Sequence, residues 1–159
     1  MPKWVILHYT AMNSAAEAIE RLCDTVHQVS AHYVISESGT VTQLVSDDMR
    51  AWHAGQSFWQ GCRDVNSASI GIELCNRGDH PFPAPQIRAL ITLLSGVCTR
   101  NDIPPNSVIG HADIALGRKA DPGARFDWRA LAQMGFGIWA DPATATWVDA
   151  AVFDANLGR

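Results

Sequence analysis

Four consecutive apolar residues, Trp4-Val5-Ile6-Leu7, run without interruption into a histidine, His8. An apolar run that does not alternate with polar residues is the pattern of a strand covered on both faces. A chain that starts this way has to supply neighbouring strands and elements to pack above and below them.

The remaining sequence supplies them in order. Ser14-Ala15-Ala16-Glu17 fits a capping box, in which Ser14 accepts from first-turn amides while Glu17 reaches back. Ala16, Ile19, Leu22, Cys23 and Val26 then form one apolar stripe, which predicts a helix ending near Gln28. His32 to Ser36 and Thr40 to Val45, joined by Glu37-Ser38-Gly39, read as a β-hairpin. Asp47 to Arg50 reads as a short helical turn, and Trp52 to Cys62 as an irregular loop lining a groove. Ser69 to Cys75 is a fourth strand, with Ile70, Ile72 and Leu74 on one face and Gly71, Glu73 and Cys75 on the other. Gln86 to Arg100 keeps a helical period through Ile87, Leu90, Ile91, Leu94, Val97 and Cys98, with Pro85 suited to its first turn. Val108-Ile109 is a short fifth strand and Trp128 to Met134 a short helix. This order implies an α/β or α+β domain, a sheet of about five strands flanked by helices, over residues 1–140. Residues 141–159 read as a tail that packs on that domain or frays from it.

A chain of 159 residues is most simply one domain and buries a core without disulfide staples. Its net charge of −4 argues against a general nucleic-acid binder. No apolar run approaches the ~20 residues needed to span a bilayer. The strand-like run follows Met1-Pro2-Lys3 directly, with no export signal visible, so a cytoplasmic location is expected. Cys23, Cys62, Cys75 and Cys98 show no Cys-x-x-Cys spacing; Cys23 and Cys98 fall on predicted core faces, and free buried thiols are expected rather than disulfides.

The densest chemistry lies between Gly110 and Trp128, which holds His111, Asp113, Arg118, Lys119 and the turn signal Asp121-Pro122-Gly123. The spacing of His111 and Asp121 suits a loop folding back on itself better than one helix face. A His and a carboxylate brought together supply two of the three protein ligands of a catalytic zinc site, which keeps a fourth position open. His8, at the end of its strand, is the best candidate for the third. Each residue has a plainer reading by itself: a satisfied strand-end His, a loop His, a turn-capping Asp, a solvated strand Glu at Glu73, a solvated loop Lys at Lys119.

Leu7-His8-Tyr9-Thr10-Ala11, Ser30-Ala31-His32-Tyr33, Ala51-Trp52-His53-Ala54-Gly55, Ser69-Ile70-Gly71-Ile72-Glu73-Leu74 and Gly117-Arg118-Lys119-Ala120-Asp121-Pro122-Gly123 stand in an order that resembles the zinc-dependent N-acetylmuramoyl-L-alanine amidases of the AmpD/AmiD type. Their fold is shared with peptidoglycan recognition proteins, and the resemblance runs from about Trp4 to about Trp139. It implies a mixed sheet with a single zinc in a surface groove, the metal held by His8, His111 and Asp121. It also implies Glu73 as general base, with Lys119 stabilising the charge that develops on the amide oxygen. Relatives of the bacteriophage-lysozyme type carry a catalytic Tyr at the place of Ala31, so more of the work falls here to Glu73. His32, Trp52, His53, Asn76, Arg77 and Arg118 are candidates for the substrate groove, Arg118 as partner of a carboxylate or of a substrate acid group. The implied substrate is peptidoglycan or a muropeptide, cut between muramic acid and L-alanine by a protein expected to be monomeric. A peptidoglycan-binding module without catalysis is the alternative, and a structural zinc protein, which needs a fourth Cys or His ligand, is a third. The stretch Gly135 to Trp139 looks more like the envelope type of the family than the cytoplasmic one.

Overall fold

The computed structural model describes residues 1–140; the tail expected over 141–159 lies outside the described residues. Five strands form one sheet: β1 (Trp4–Tyr9), β2 (Tyr33–Ile35), β3 (Val41–Gln43), β4 (Ser69–Leu74) and β5 (Val108–Gly110), in the order β3-β2-β4-β1-β5. β1 runs parallel to both β4 and β5, β2 runs parallel to β4, and only the β2–β3 hairpin is antiparallel. The mixed sheet expected from the sequence is therefore present. β1 has strands on both sides and an apolar cluster on each face, and the second of these explains why its apolar run does not alternate.

Alternation along the strands divides the residues between two cores. Val5 and Leu7 of β1 and Ile70, Ile72 and Leu74 of β4 face α2 (Ala84–Asn101), where they meet Leu90, Leu94 and Val97. Leu90, Leu94 and Val97 are fully buried, and each contributes roughly 1.5–3 kcal/mol. Gln86 fixes the start of α2 by donating through Nε2 to the carbonyls of Ile35 and Cys75, 2.9 and 3.0 Å away, at the ends of β2 and β4. Trp4 and Ile6 point to the opposite face, where a smaller cluster includes Ala54, Val65 and Ile114. His8, Gly71 and Glu73 share the parity of that second face. The sequence pattern thus assigns the chemistry to one side of the sheet and the main core to the other.

Two helical expectations are corrected. α1 (Ala15–Cys23) has its predicted cap, Ser14 accepting from Glu17 N–H, but stops at Cys23. Asp24 then caps a separate 3₁₀ turn at Thr25–His27, which leaves Val26 81% exposed. The apolar stripe of α1 is not a core face: only Ala18 is buried, and Cys23 is exposed. A second short helix, α3 (His111–Ile114), begins where a loop was expected. α4 (Trp128–Gln133) closes the described fold. All four thiols are free, Cys75 and Cys98 buried. No helix among the described residues is long and apolar enough to cross a membrane.

The hairpin is tied to α2 by one carboxylate. Asp47 accepts from Tyr33 Oη at 2.5 Å, Arg100 Nε at 3.1 Å and Asn101 Nδ2 at 2.9 Å. Partial burial opposes its ionisation, but these donors outweigh it and hold its pKa below the usual carboxylate range. A depressed carboxylate contributes stability above its ordinary pKa and loses it as pH falls. Asp47→Ala is expected to lower unfolding stability by about 1–3 kcal/mol at pH 7, since Tyr33 and Arg100 lose a charged acceptor. Urea denaturation at pH 7 and below pH 3 checks this: the difference between parent and variant should shrink at the lower pH.

Candidate active site

Three elements end at one point. β1 delivers His8, α3 opens with His111, and the turn that follows Lys119 carries Asp121. Leu7 pairs with Gly110 across β1 and β5, so the next residues of each strand, His8 and His111, emerge side by side. Ala112 N–H donates to the Asp121 carbonyl at 2.9 Å and folds the loop back onto α3. As a result, His8 Nδ1, His111 Nδ1 and Asp121 Oδ2 form a triangle with edges of 2.9 to 3.0 Å. All three residues are buried, and among the described residues they make up the group able to hold a metal ion.

The protons on these groups follow from their other partners. His111 Nε2 lies 3.0 Å from the Ala54 carbonyl, which only accepts, so Nε2 carries the hydrogen and Nδ1 is bare. Burial, the largest effect on His8, pushes its pKa down to about 4, and the imidazole is neutral at pH 7. Lone pairs and a carboxylate converging at 3 Å repel one another unless a cation lies between them. Tetrahedral zinc with bonds of ~2.0–2.1 Å places its ligand atoms about 3.3 Å apart, close to the edges of this triangle. Two nitrogens and one carboxylate oxygen are the donor set of a catalytic site with one position left open.

Glu73 is the neighbour of His8 across the β1–β4 pairing. Burial, then the charge of Asp121, raises its pKa to about 8, while Lys119 pulls the other way. Its Oε2 is buried and has no hydrogen-bond partner. An unsatisfied buried oxygen is costly, and such groups concentrate at sites of proton transfer. The groove in front of these residues has a volume of about 460 Å³ and is lined by Glu73, Lys119, Trp52, His53 and Arg118 together with residues of α1.

The other expected groove residues fall elsewhere. His32 is fully buried, Nδ1 accepting from Gly71 N–H at 2.9 Å and Nε2 donating to the Met49 carbonyl at 3.0 Å. It anchors backbone and does not reach the groove. Asn76 is also fully buried, shaping its own loop through Gly78 N–H and the His80 carbonyl. Arg77 is exposed, off the groove wall, and paired with Asp79 at 2.7 Å. Arg118 stays on the groove wall and also braces the loop opposite by donating to the carbonyls of Ala54 and Gln56. In place of His32, Asn76 and Arg77, α1 contributes Arg21 and Leu22 to the groove. The helical stripe containing Leu22 was visible in the sequence, but nothing there distinguishes a stripe facing a groove from one facing a core.

The profile of the N-acetylmuramoyl-L-alanine amidase family matches residues 1–124. The chain belongs to this amidase family. Among its relatives, the chain is 41% identical over 155 residues to the N-acetylmuramoyl-L-alanine amidase AmiD of Escherichia coli, covering 87% of this chain and 55% of that protein. It is 42% identical over 101 residues to the 1,6-anhydro-N-acetylmuramyl-L-alanine amidase AmpD of Citrobacter freundii, covering 64% of this chain and 54% of that protein. The chain therefore spans about half the length of the curated relatives it matches. The solved structure of E. coli AmiD in complex with anhydro-N-acetylmuramic acid-L-Ala-D-γ-Glu-L-Lys superposes with a TM-score of 0.86 at 38% identity, covering 99% of this chain and 70% of that one. AmpDh3 from Pseudomonas aeruginosa superposes at 0.81 with 36% identity, covering 90% and 63%.

The raised pKa of Glu73 makes a pH-dependent prediction for this amidase fold in the absence of metal. The folded chain keeps the Glu73 proton up to about pH 8, while the unfolded chain releases it near 4.5. Folding therefore takes up a proton in this window, and the stability contributed by Glu73 falls as pH rises through it. Glu73→Gln imitates the protonated form. It is expected to melt higher than the parent at pH 8 to 9, with the gain vanishing towards pH 4.5, in thermal denaturation with chelator present.

Proposed function

We propose that the chain is a zinc-dependent amidase that cleaves the bond between N-acetylmuramic acid, in its ordinary or 1,6-anhydro form, and L-alanine of peptidoglycan or muropeptides. One observation carries this reading: a buried two-imidazole, one-carboxylate triangle stands beside a partnerless carboxyl, Glu73, in an open groove. A module that only grips its ligand has no need of a buried acid without a partner. Family membership and the similarity to the AmiD complex support the substrate class. In this reading the catalytic domain is residues 1–140, with one zinc per chain.

His8, His111 and Asp121 would hold the zinc, which supplies a Lewis acid for a carbonyl oxygen and lowers the pKa of water. Glu73, whose ionised form a cation held by the triangle would favour over the protonated form of the metal-free chain, accepts a proton from the water as its oxygen bonds to the amide carbon. The ammonium of Lys119 faces the same groove and offsets negative charge on the carbonyl oxygen. Glu73 then hands its proton to the departing nitrogen as the carbon–nitrogen bond breaks, leaving a muramic acid carboxylate and a free peptide amine. Trp52 and His53 wall the groove on one side, while α1, through Arg21 and Leu22, walls it on another.

Glu73→Ala is expected to retain one zinc per chain and to lower peptide release from anhydro-muropeptides by roughly 10²-fold or more, the scale of general-base loss. Metal analysis and chromatography of products measure both, and wild-type turnover in this variant would remove Glu73 from the mechanism. His111→Ala is expected to lose zinc and activity together; a purified variant that still holds one zinc per chain contradicts the ligand set. Running the parent on intact sacculi beside soluble anhydro-muropeptides decides which form of the substrate it takes.

A further inference from the structure

The second nitrogen of His8 does not face solvent. His8 Nε2 lies 3.1 Å from His53 Nδ1, His53 Nε2 lies 3.3 Å from Ser69 Oγ, and Ser69 Oγ lies 2.6 Å from the Val65 carbonyl. All three side chains are buried, at 2%, 8% and 3% exposure. The line ends on a group that only accepts, and this fixes the direction of every hydrogen in it. Ser69 must donate to Val65. Its oxygen then accepts from His53 Nε2–H, so His53 carries no hydrogen on Nδ1. That bare nitrogen accepts from His8 Nε2–H, and the lone pair of His8 is left on Nδ1, the atom at the triangle.

We infer that His53 is a positioning residue for the metal site: through Ser69 and the Val65 carbonyl it selects the one tautomer of His8 that can bind a cation. The inference rests on His8 being a metal ligand, as proposed above, and assigns to His53, which borders the groove, a role towards the metal site that it performs through His8.

The backbone is built to hold this arrangement. A Cβ on Gly71 would lie 2.4 Å from His53 Cγ, so the imidazole seats directly on the strand only because residue 71 has no side chain. Asn66 Oδ1 accepts from the amides of both His53 and Ala54, at 3.0 and 2.8 Å. It therefore pins two adjacent residues at once, His53 behind His8 and the Ala54 carbonyl behind His111. Both imidazoles of the triangle are thus oriented by one dipeptide. Partners of this kind characteristically change metal affinity by about 10–100-fold when removed.

Two measurements test the inference. In long-range ¹H–¹⁵N spectra of the full chain, with and without zinc, His53 is expected to show a bare Nδ1 and a protonated Nε2; the opposite tautomer overturns the relay. In chelator competition, His53→Ala is expected to bind zinc about 10–100-fold more weakly than the parent, and His53→Gln, whose amide oxygen can accept from His8, less than 10-fold more weakly. Thermal melts of the metal-free variants show that each is folded. Parent-like affinity in His53→Ala, or equal loss in both variants, overturns the inference. A parent chain that takes up no zinc contradicts the proposed function instead, and the tautomer seen in the metal-free spectrum still decides the relay.

Discussion

The structure depends on a repulsion. Three acceptor atoms, two ring nitrogens and one carboxylate oxygen, are held 3 Å apart inside a protein whose interior screens charge weakly. A cation held at the centre of the triangle would offset that cost. The remainder of the site can be understood as what holds the triangle together against its own repulsion. The β1–β5 pairing brings the two histidines out side by side, the Ala112–Asp121 hydrogen bond folds Asp121 back towards them, and residues 53 and 54 occupy the outer nitrogens of both rings.

The division of the sheet into two faces makes this tolerable. α2 and the apolar residues of β1 and β4 build the main core on one side. That core supplies the apolar burial and leaves the other face free to hold groups that destabilise a fold: a partnerless Glu73 oxygen, four buried histidines and a buried Asp121. Strand alternation enforces the separation, because neighbouring residues on one strand cannot share a face. The site gathers on that face at the carboxyl-terminal residues of β1 and β4, where β1 is flanked by strands reached through different connections. Parallel sheets characteristically bind ligands at such places.

Much of this was legible in the residues. The non-alternating run at Trp4–Leu7 gave a central strand, and the period of Leu90, Leu94 and Val97 gave the helix that covers it. The alternation in Ser69–Leu74 put Glu73 on the side opposite Ile70, Ile72 and Leu74. The residues of the triangle were also nameable, since histidines are few, Asp121 opens an Asp-Pro-Gly turn, and five motifs of the family stood in order. The groove was less legible. His32 belongs to one of those motifs and Asn76 follows another closely, yet their polar atoms are taken up by backbone. Arg21 and Leu22, on an ordinary helical stripe, line the groove instead. A polar side chain near a motif does not by itself indicate whether its partner is substrate or its own loop.

The sequence by itself determined the elements, their faces and the donor chemistry of His8, His111 and Asp121, because strand and helix periods and the donor atoms of His and Asp are local properties of the chain. Only the tertiary structure decided that α1 stops at Cys23 and borders a groove, that His53 rather than His32 stands behind His8, and which nitrogen of each imidazole is free. Those facts depend on contacts between residues dozens of positions apart, and on a Cβ that Gly71 lacks, and no spacing along a chain encodes which surfaces will meet.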